Sequence, residues 1–274
     1  MGRDRDVLEK ILIYDAPDAI GLDVRVVGRH LAELLPQAQV ETRTDFFTWH
    51  LGQFDLQQVE VLTDEVTARL EEREVHNLVA PGRRHELEPV TPESRDLGVV
   101  YVADQLQDVM RALLRREERG ADFLHLAYIT QCLGRWEAAE GYLHLQIIQH
   151  GEPTIISTTG FVEAPALPRE YAFRRAQLLG FGMEEAAEEL DERFAGATLV
   201  HGDARIDRVA AGYALQALFR HVFGEQGCDT PTCPLHPVAT HDELARAHLG
   251  EDSRLCDRHA RMLIAARGDD PGDG

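Results

Sequence analysis

The chain has 274 residues and a mass of 30.7 kDa, and its 44% hydrophobic and 28% charged residues are close to globular averages. A chain of this length can bury a large core without a disulfide framework. Its 48 acidic and 28 basic side chains give a formal charge of -20. Such a surface repels phosphate backbones and anionic lipid, so neither nucleic acid nor a membrane is an expected partner.

The N-terminus shows no targeting pattern, because charged residues are followed directly by a short apolar run without a long h-region or a cleavage site. No apolar run approaches the roughly 18 residues of a membrane-spanning helix. The sequence therefore predicts a cytoplasmic protein. In that reducing compartment, clustered cysteines indicate metal binding or catalysis more often than disulfides.

The first half of the chain alternates strand and helix patterns. A strand over 10–16, a helix over 21–36 and a short strand after it form a βαβ opening. Residues 60–75 fit a helix or a strand, and the prolines and charges of 81–96 predict an exposed loop. Further strands are predicted over 97–103, 122–130, 142–149 and 153–160, with a helix over 104–118.

From Pro168 onward the pattern is helical. Helices are predicted over 168–180, 183–194, 205–224, 238–249 and 253–267. The longest ends at Gly224, a common C-terminal stop, and the tail 268–274 has nothing to pack and is predicted to be disordered. Without repeats or a clear linker, residues 1–267 are interpreted as one mixed α/β domain with a helical C-terminus.

Two short cysteine clips mark the C-terminal region, within residues 228–259. Cys228 and Cys233 form a C-x4-C pair, and 22 residues further on Cys256 and His259 form a C-x2-H pair. Two clips with two soft ligands each suit tetrahedral zinc, and a site closed by four protein ligands is structural rather than catalytic. The sequence predicts one such zinc, although buried thiols with a surface histidine remain an alternative. Rival fourth ligands are His236 and His241.

The same stretch resembles a known peptidase family. Archaemetzincins carry H-E-x-x-H-x-x-G-x-x-H-C-x4-C-x-M and, further on, a C-x2-C clip. Without gaps the pattern covers 217–235, where His221, Gly224, Cys228 and Cys233 match. His259 then stands in place of a clip thiolate. The resemblance implies a metzincin-like α/β fold with a mixed sheet, long helices and a zinc-stapled helical C-terminus.

Three departures from this motif bear on function. Ala217, Leu218 and Gly227 occupy the positions of the first histidine, the glutamate base and the third histidine, and only His221 remains. Alanine, leucine and glycine side chains cannot bind zinc or move a proton. The hypothesis is an inactive metallopeptidase homologue that is a non-catalytic binding or regulatory protein. Its partner would be an extended peptide in the former cleft beside the helix ending at Gly224.

The alternative hypothesis is a zinc-dependent hydrolase with an active site rebuilt around His221, with Glu163 as base. The histidines that could join His221 are His125, His144, His150 and His201. On one predicted strand, the second and third of these lie roughly 20 Å apart by strand rise, which favours an exposed polar face over a shared metal. The ligand or substrate is not determined by the sequence.

Overall fold

Eight strands and nine helices make up the described part of the protein. The structure, a computed structural model, describes residues 8–52, 57, 61, 100–137, 142–194 and 198–267. The strands are β1 (Lys10–Tyr14), β2 (Gln39–Arg43), β3 (Val100–Val102), β4 (Phe123–Ile129), β5 (Cys132–Glu137), β6 (Tyr142–Gln146), β7 (Ile148–Gln149) and β8 (Thr154–Ser157). The helices are α1 (Val24–Leu34), α2 (Phe46–Leu51), α3 (Ala103–Leu113), α4 (Gly160–Glu163), α5 (Arg169–Gly180), α6 (Glu184–Phe194), α7 (Ile206–Phe223), α8 (His241–Leu244) and α9 (Asp257–Arg267). Two further short helical turns are present, a 3-10 turn at Arg116–Glu118 and a π-helical turn at Ala245–Leu249.

The main sheet is mixed and has helices on both faces. Its order is β2-β1-β4-β8-β7, and only β7 runs antiparallel to its neighbour. Side chains alternate along β1: Ile11 and Ile13 pack into the core shared with α1 and α7, whereas Leu12 and Tyr14 pack against α2 and α3. Both faces of this strand are therefore buried, as in parallel sheets. This confirms the predicted α/β class.

The longest helix, α7, crosses the main core and is buried along most of its length. It ends at Gly224, whose φ of 70° is left-handed and whose N–H bonds to the Arg220 carbonyl. Glycine adopts this conformation without a Cβ penalty, which is why the helix stops there. The predicted end of this helix is confirmed.

One predicted strand was wrong as a single element. The run 142–149 divides at Ile147 into β6, which pairs antiparallel with β5, and β7, which pairs with β8 in the other sheet. The sequence analysis did not predict β5. Polar and apolar residues alternate along 142–149 because both halves are strands. The two halves differ in the strands with which they pair.

The predicted C-terminal helices begin later than expected. The run 238–249 consists of α8 and a π-helical turn, and α9 starts at Asp257. The predictions for 60–75, 81–96 and the tail 268–274 lie outside the described residues, apart from residue 61. No helix in the described ranges is long and apolar enough to cross a membrane.

Candidate metal centre and neighbouring cavity

The two cysteine clips meet in space. One ligand atom from each of Cys228, Cys233, Cys256 and His259 lies within 4.8 Å of all the others. Cys233 and His259 are fully buried, Cys228 is nearly so, and Cys256 is half-buried. All four cysteines of the chain are free, so no disulfide competes for these sulfurs. Within the described ranges, this is the only group of three or more such side chains able to hold a metal ion.

Local structure turns each clip towards the same point. After α7 the chain doubles back, with the Cys233 N–H donating to the Thr230 carbonyl at 3.0 Å and the Thr230 N–H pointing at the Cys228 sulfur. Cys256 directly precedes α9 and His259 lies in its first turn, so the two are three residues apart on one face. The turn after α7 and the first turn of α9 therefore bring the four side chains together.

The distances within the cluster fit zinc. Tetrahedral zinc, with bonds of about 2.3 Å to sulfur and about 2.0 Å to nitrogen, separates its ligand atoms by about 3.5–3.8 Å. The sulfurs of Cys228 and Cys256 are 3.8 Å apart, and the Cys233 sulfur is 3.7 Å from His259 Nδ1. The Cys256 sulfur is nearer to that nitrogen, at 3.1 Å. Burial raises the pKa of the Cys233 thiol, so zinc would displace a proton on binding.

The other ring nitrogen of His259 faces a carboxylate. Nε2 is buried without a hydrogen-bond partner, and Glu225 Oε2 lies 3.6 Å from it. Glu225 also forms an ion pair with Arg258 at 2.5 Å. A carboxylate behind a metal-binding histidine fixes its tautomer and orientation. Sequence reasoning missed Glu225, since the short motif contains no position for it.

The two rival histidines are engaged elsewhere. His236 Nδ1 bonds to the Cys228 carbonyl at 2.9 Å, which supports the turn beside the cluster without supplying a ligand to it. His241 is buried against α4, with Nε2 3.2 Å from the Val162 carbonyl. In this geometry His259, not either rival, completes the group of four.

The remaining motif positions lie on α7 and just after it. Ala217 and Leu218 are buried, and Leu218 belongs to the main core. His221 Nε2 bonds to the Ala121 carbonyl at 2.7 Å, so this nitrogen carries the proton. Gly227 lies in the turn leading to the cluster. The structure thus places His221 beside the start of β4, and α7 carries no second histidine and no cysteine.

A cavity of about 310 Å³ lies where α7 approaches the loops that precede β4 and β8. Ala217, Arg220 and His221 line it from α7, and His150 and Glu152 line it from the loop between β7 and β8. Burial, with the charge of Arg220 as a second cause, lowers the pKa of His150 to about 4. His150 is therefore neutral near pH 7 and partly buried, which corrects the expectation of an exposed polar face.

Of the histidines considered for a rebuilt site, His125 and His150 line the same cavity as His221, whereas His144 and His201 do not. His125 touches the cavity, but its ring nitrogens bond to the Tyr14 hydroxyl at 3.0 Å and the Glu118 carbonyl at 2.6 Å. His201 pairs with Glu163 at 2.9 Å, and neither lines the cavity. His144 lies on β6 opposite Arg135, in the second sheet. In the described residues, no second group of three such side chains lies close enough to share a metal ion.

Comparison with known proteins places the chain in a family. Residues 7–266 match the sequence profile described as "Probable metallopeptidase family (DUF6775)", and the chain belongs to this family. This confirms the relation to metallopeptidases predicted from the motif. The crystal structure of archaemetzincin from Methanopyrus kandleri is similar at 13% identity and a TM-score of 0.45, over 97% of this chain and 98% of that one. No curated protein sequence matches the chain.

Proposed function

We propose that this member of the metallopeptidase family holds one structural zinc ion and binds an extended peptide without hydrolysing it. The observation that carries the proposal is the apolar pair Ala217 and Leu218 at the motif positions of a zinc ligand and the general base. A peptidase zinc needs three protein ligands and an open position for water. His221 alone cannot supply the ligand set.

The zinc itself belongs to the Cys228, Cys233, Cys256 and His259 cluster. Four protein ligands leave no open coordination position, so the ion would stabilise the turn after α7 and the start of α9. Its chemistry is that of a cross-link, whose binding energy adds to the folding energy of the C-terminal elements.

The peptide site is assigned to the sheet edge next to the cavity. Among the described strands, β7 is the last of the main sheet, and it leads directly to His150 in the cavity wall. An extended peptide can add to such an edge through main-chain hydrogen bonds, a mode that requires no metal. The ends of β7 and the cavity thus form one continuous region for a ligand.

Metal analysis of the purified full chain tests this function. We expect one zinc per chain, retained in His221→Ala and lost in Cys233→Ser, and no cleavage of a mixed peptide substrate pool. A second equivalent of zinc that disappears in His221→Ala, together with cleavage by the parent protein, would instead establish a rebuilt catalytic centre. Retention of extended peptides by the immobilised parent protein tests the binding role.

A further inference from the structure

The cavity beside α7 is lined by an arginine side chain that has no acidic partner among the described residues. Arg220 is half-buried in its wall, and its polar contact is to the amide oxygen of Gln226 at 2.5 Å. In the part of the chain that the structure describes, no carboxylate lies within ion-pair distance of this guanidinium. Because no described carboxylate pairs with it, this arginine is available to an anionic ligand in the cavity, although the protein has 48 acidic residues.

His150 adds an uncommitted polar group to the same cavity. Its Nδ1 is buried and has no hydrogen-bond partner, although burying an unpaired polar atom costs free energy. Arg220 is close enough that its charge disfavours protonation of this imidazole. A neutral imidazole still provides one N–H donor, and His150 and Arg220 both line this cavity.

Glu152 is the acidic side chain of this cavity. Its carboxylate accepts a hydrogen bond from the Gly120 N–H at 2.8 Å, which links the loop before β4 to the loop before β8. It therefore links two of the loops that line the cavity, while Arg220 lines it from α7. Arg220 comes from α7, whereas His150 and Glu152 come from the loop between β7 and β8, where the Glu152 carboxylate is engaged by the Gly120 N–H.

We propose that this cavity binds the C-terminal carboxylate of a peptide, with Arg220 as its ion-pair partner and His150 as a hydrogen-bond donor. The inference rests on the proposed function, because the peptide would pair with β7 and end where that strand reaches His150. A volume of about 310 Å³ accommodates a terminal residue. Ala217 leaves room there, since its side chain is a single methyl group.

The test compares two chemically matched ligands on the full chain. A pool of fluorescent hexapeptides of mixed sequence is prepared with a free C-terminal carboxylate, and the same pool is prepared with a C-terminal amide. Fluorescence anisotropy should show that the carboxylate pool binds about tenfold more tightly, as expected for one charge-assisted pair. In Arg220→Gln this preference should disappear. Arg208→Gln, on the same helix but outside the cavity, should retain it.

The possible outcomes separate this inference from the proposed function. Equal binding of the two pools, or an unchanged preference in Arg220→Gln, would overturn the carboxylate site and leave peptide binding intact. A third arm adds acetate and follows the ring signals of His150 and His221 by NMR. If acetate shifts these signals in the parent but neither pool binds, a small carboxylate is the ligand and the peptide assignment is overturned.

Discussion

At the scale of single residues, Cys132 and the ligand candidate Cys233 differ in their neighbours rather than in their burial. Cys132 is as deeply buried as Cys233, but only Cys233 lies with two other sulfurs and an imidazole. Burial raises the pKa of Cys132 to about 11, so this thiol stays neutral in the core of the protein. Proximity to other ligands therefore decides which cysteine can bind a metal ion.

The comparison of Cys233 with Cys132 provides the first prediction. Cys233→Ser should abolish zinc binding and lower the free energy of unfolding by about 4 kcal/mol, since the binding energy of the ion is then lost. Zinc content and urea unfolding measure the two effects. Cys132→Ser is the matched control, which should cost about 1–3 kcal/mol for a buried hydroxyl and leave the zinc content unchanged. Parent-like stability and zinc content in Cys233→Ser would refute the structural zinc.

Glu225 supplies a second prediction at this scale. Glu225→Ala removes the carboxylate behind His259 and should weaken zinc binding by roughly 10- to 100-fold, because the imidazole loses the group that fixes its tautomer. Competition with a fluorescent zinc chelator gives the affinity. Glu251→Ala, an exposed substitution of the same charge, should leave it unaltered. Equal affinities in the two variants would show that Glu225 does not support the site.

At the scale of elements, α7 and the π-helical turn after α8 pack closely because α7 carries a glycine at their contact. A Cβ at Gly212 would lie 2.1 Å from His248 Nδ1, closer than any real contact. His248 in turn lies against the Tyr213 ring, with centroids 4.8 Å apart. The turn that leads to the Cys256 clip is thereby held against the helix that leads to Cys228.

Gly212→Ala tests this packing. The new methyl group should displace His248 and cost about 1–3 kcal/mol of unfolding free energy, although alanine favours helix formation more than glycine does. Gly180→Ala is the matched control on α5, because nothing lies within 4 Å of the added Cβ there. The control should be neutral or more stable by up to about 1 kcal/mol in thermal or urea unfolding. A Gly212→Ala protein as stable as the parent would contradict this close approach.

At the scale of the whole molecule, several histidines are buried as neutral groups. Burial lowers the pKa of His50 to about 4 and that of His248 to about 3, and it lowers the pKa of His125 as well. The unfolded chain binds protons on these rings near pH 6.5, whereas the folded chain does not. The stability from each histidine is therefore full above the unfolded value and is lost as the pH falls from there towards the folded value.

His248 gives a measurable part of this pH dependence. Between about pH 7.5 and about pH 5.5 the parent should lose about 1.4 kcal/mol of unfolding free energy relative to His248→Asn, which cannot titrate. The difference between the two proteins cancels the contribution of carboxylates and of the zinc site. Urea unfolding at both pH values provides the comparison. A constant difference between parent and variant would mean that His248 titrates normally in the folded protein.

The sequence predicted local structure well where a pattern was contained in neighbouring residues. The strand at the start of the chain, the helix ending at Gly224 and both cysteine clips are short-range patterns, and the structure places them as expected. Strand partners are long-range, so the division of 142–149 between two sheets was not predicted. Arg220 lies three residues after Ala217 on α7, so its position on the helix could be predicted from the sequence. The cavity that it lines could not, because its walls come from distant parts of the chain.

Residue types and their spacing alone determined that two thiol clips exist and that the apolar residues Ala217 and Leu218 precede His221 on one predicted helix. Only the tertiary structure decided that His259 rather than His236 or His241 joins the thiols, and that Glu225 lies behind it. The tertiary structure also shows that His201 and Glu163 pair with each other and do not line the cavity that contains His221. The physical reason is that ligand chemistry is a property of each side chain, whereas coordination and cavity formation depend on distances of a few ångströms between residues distant in the chain.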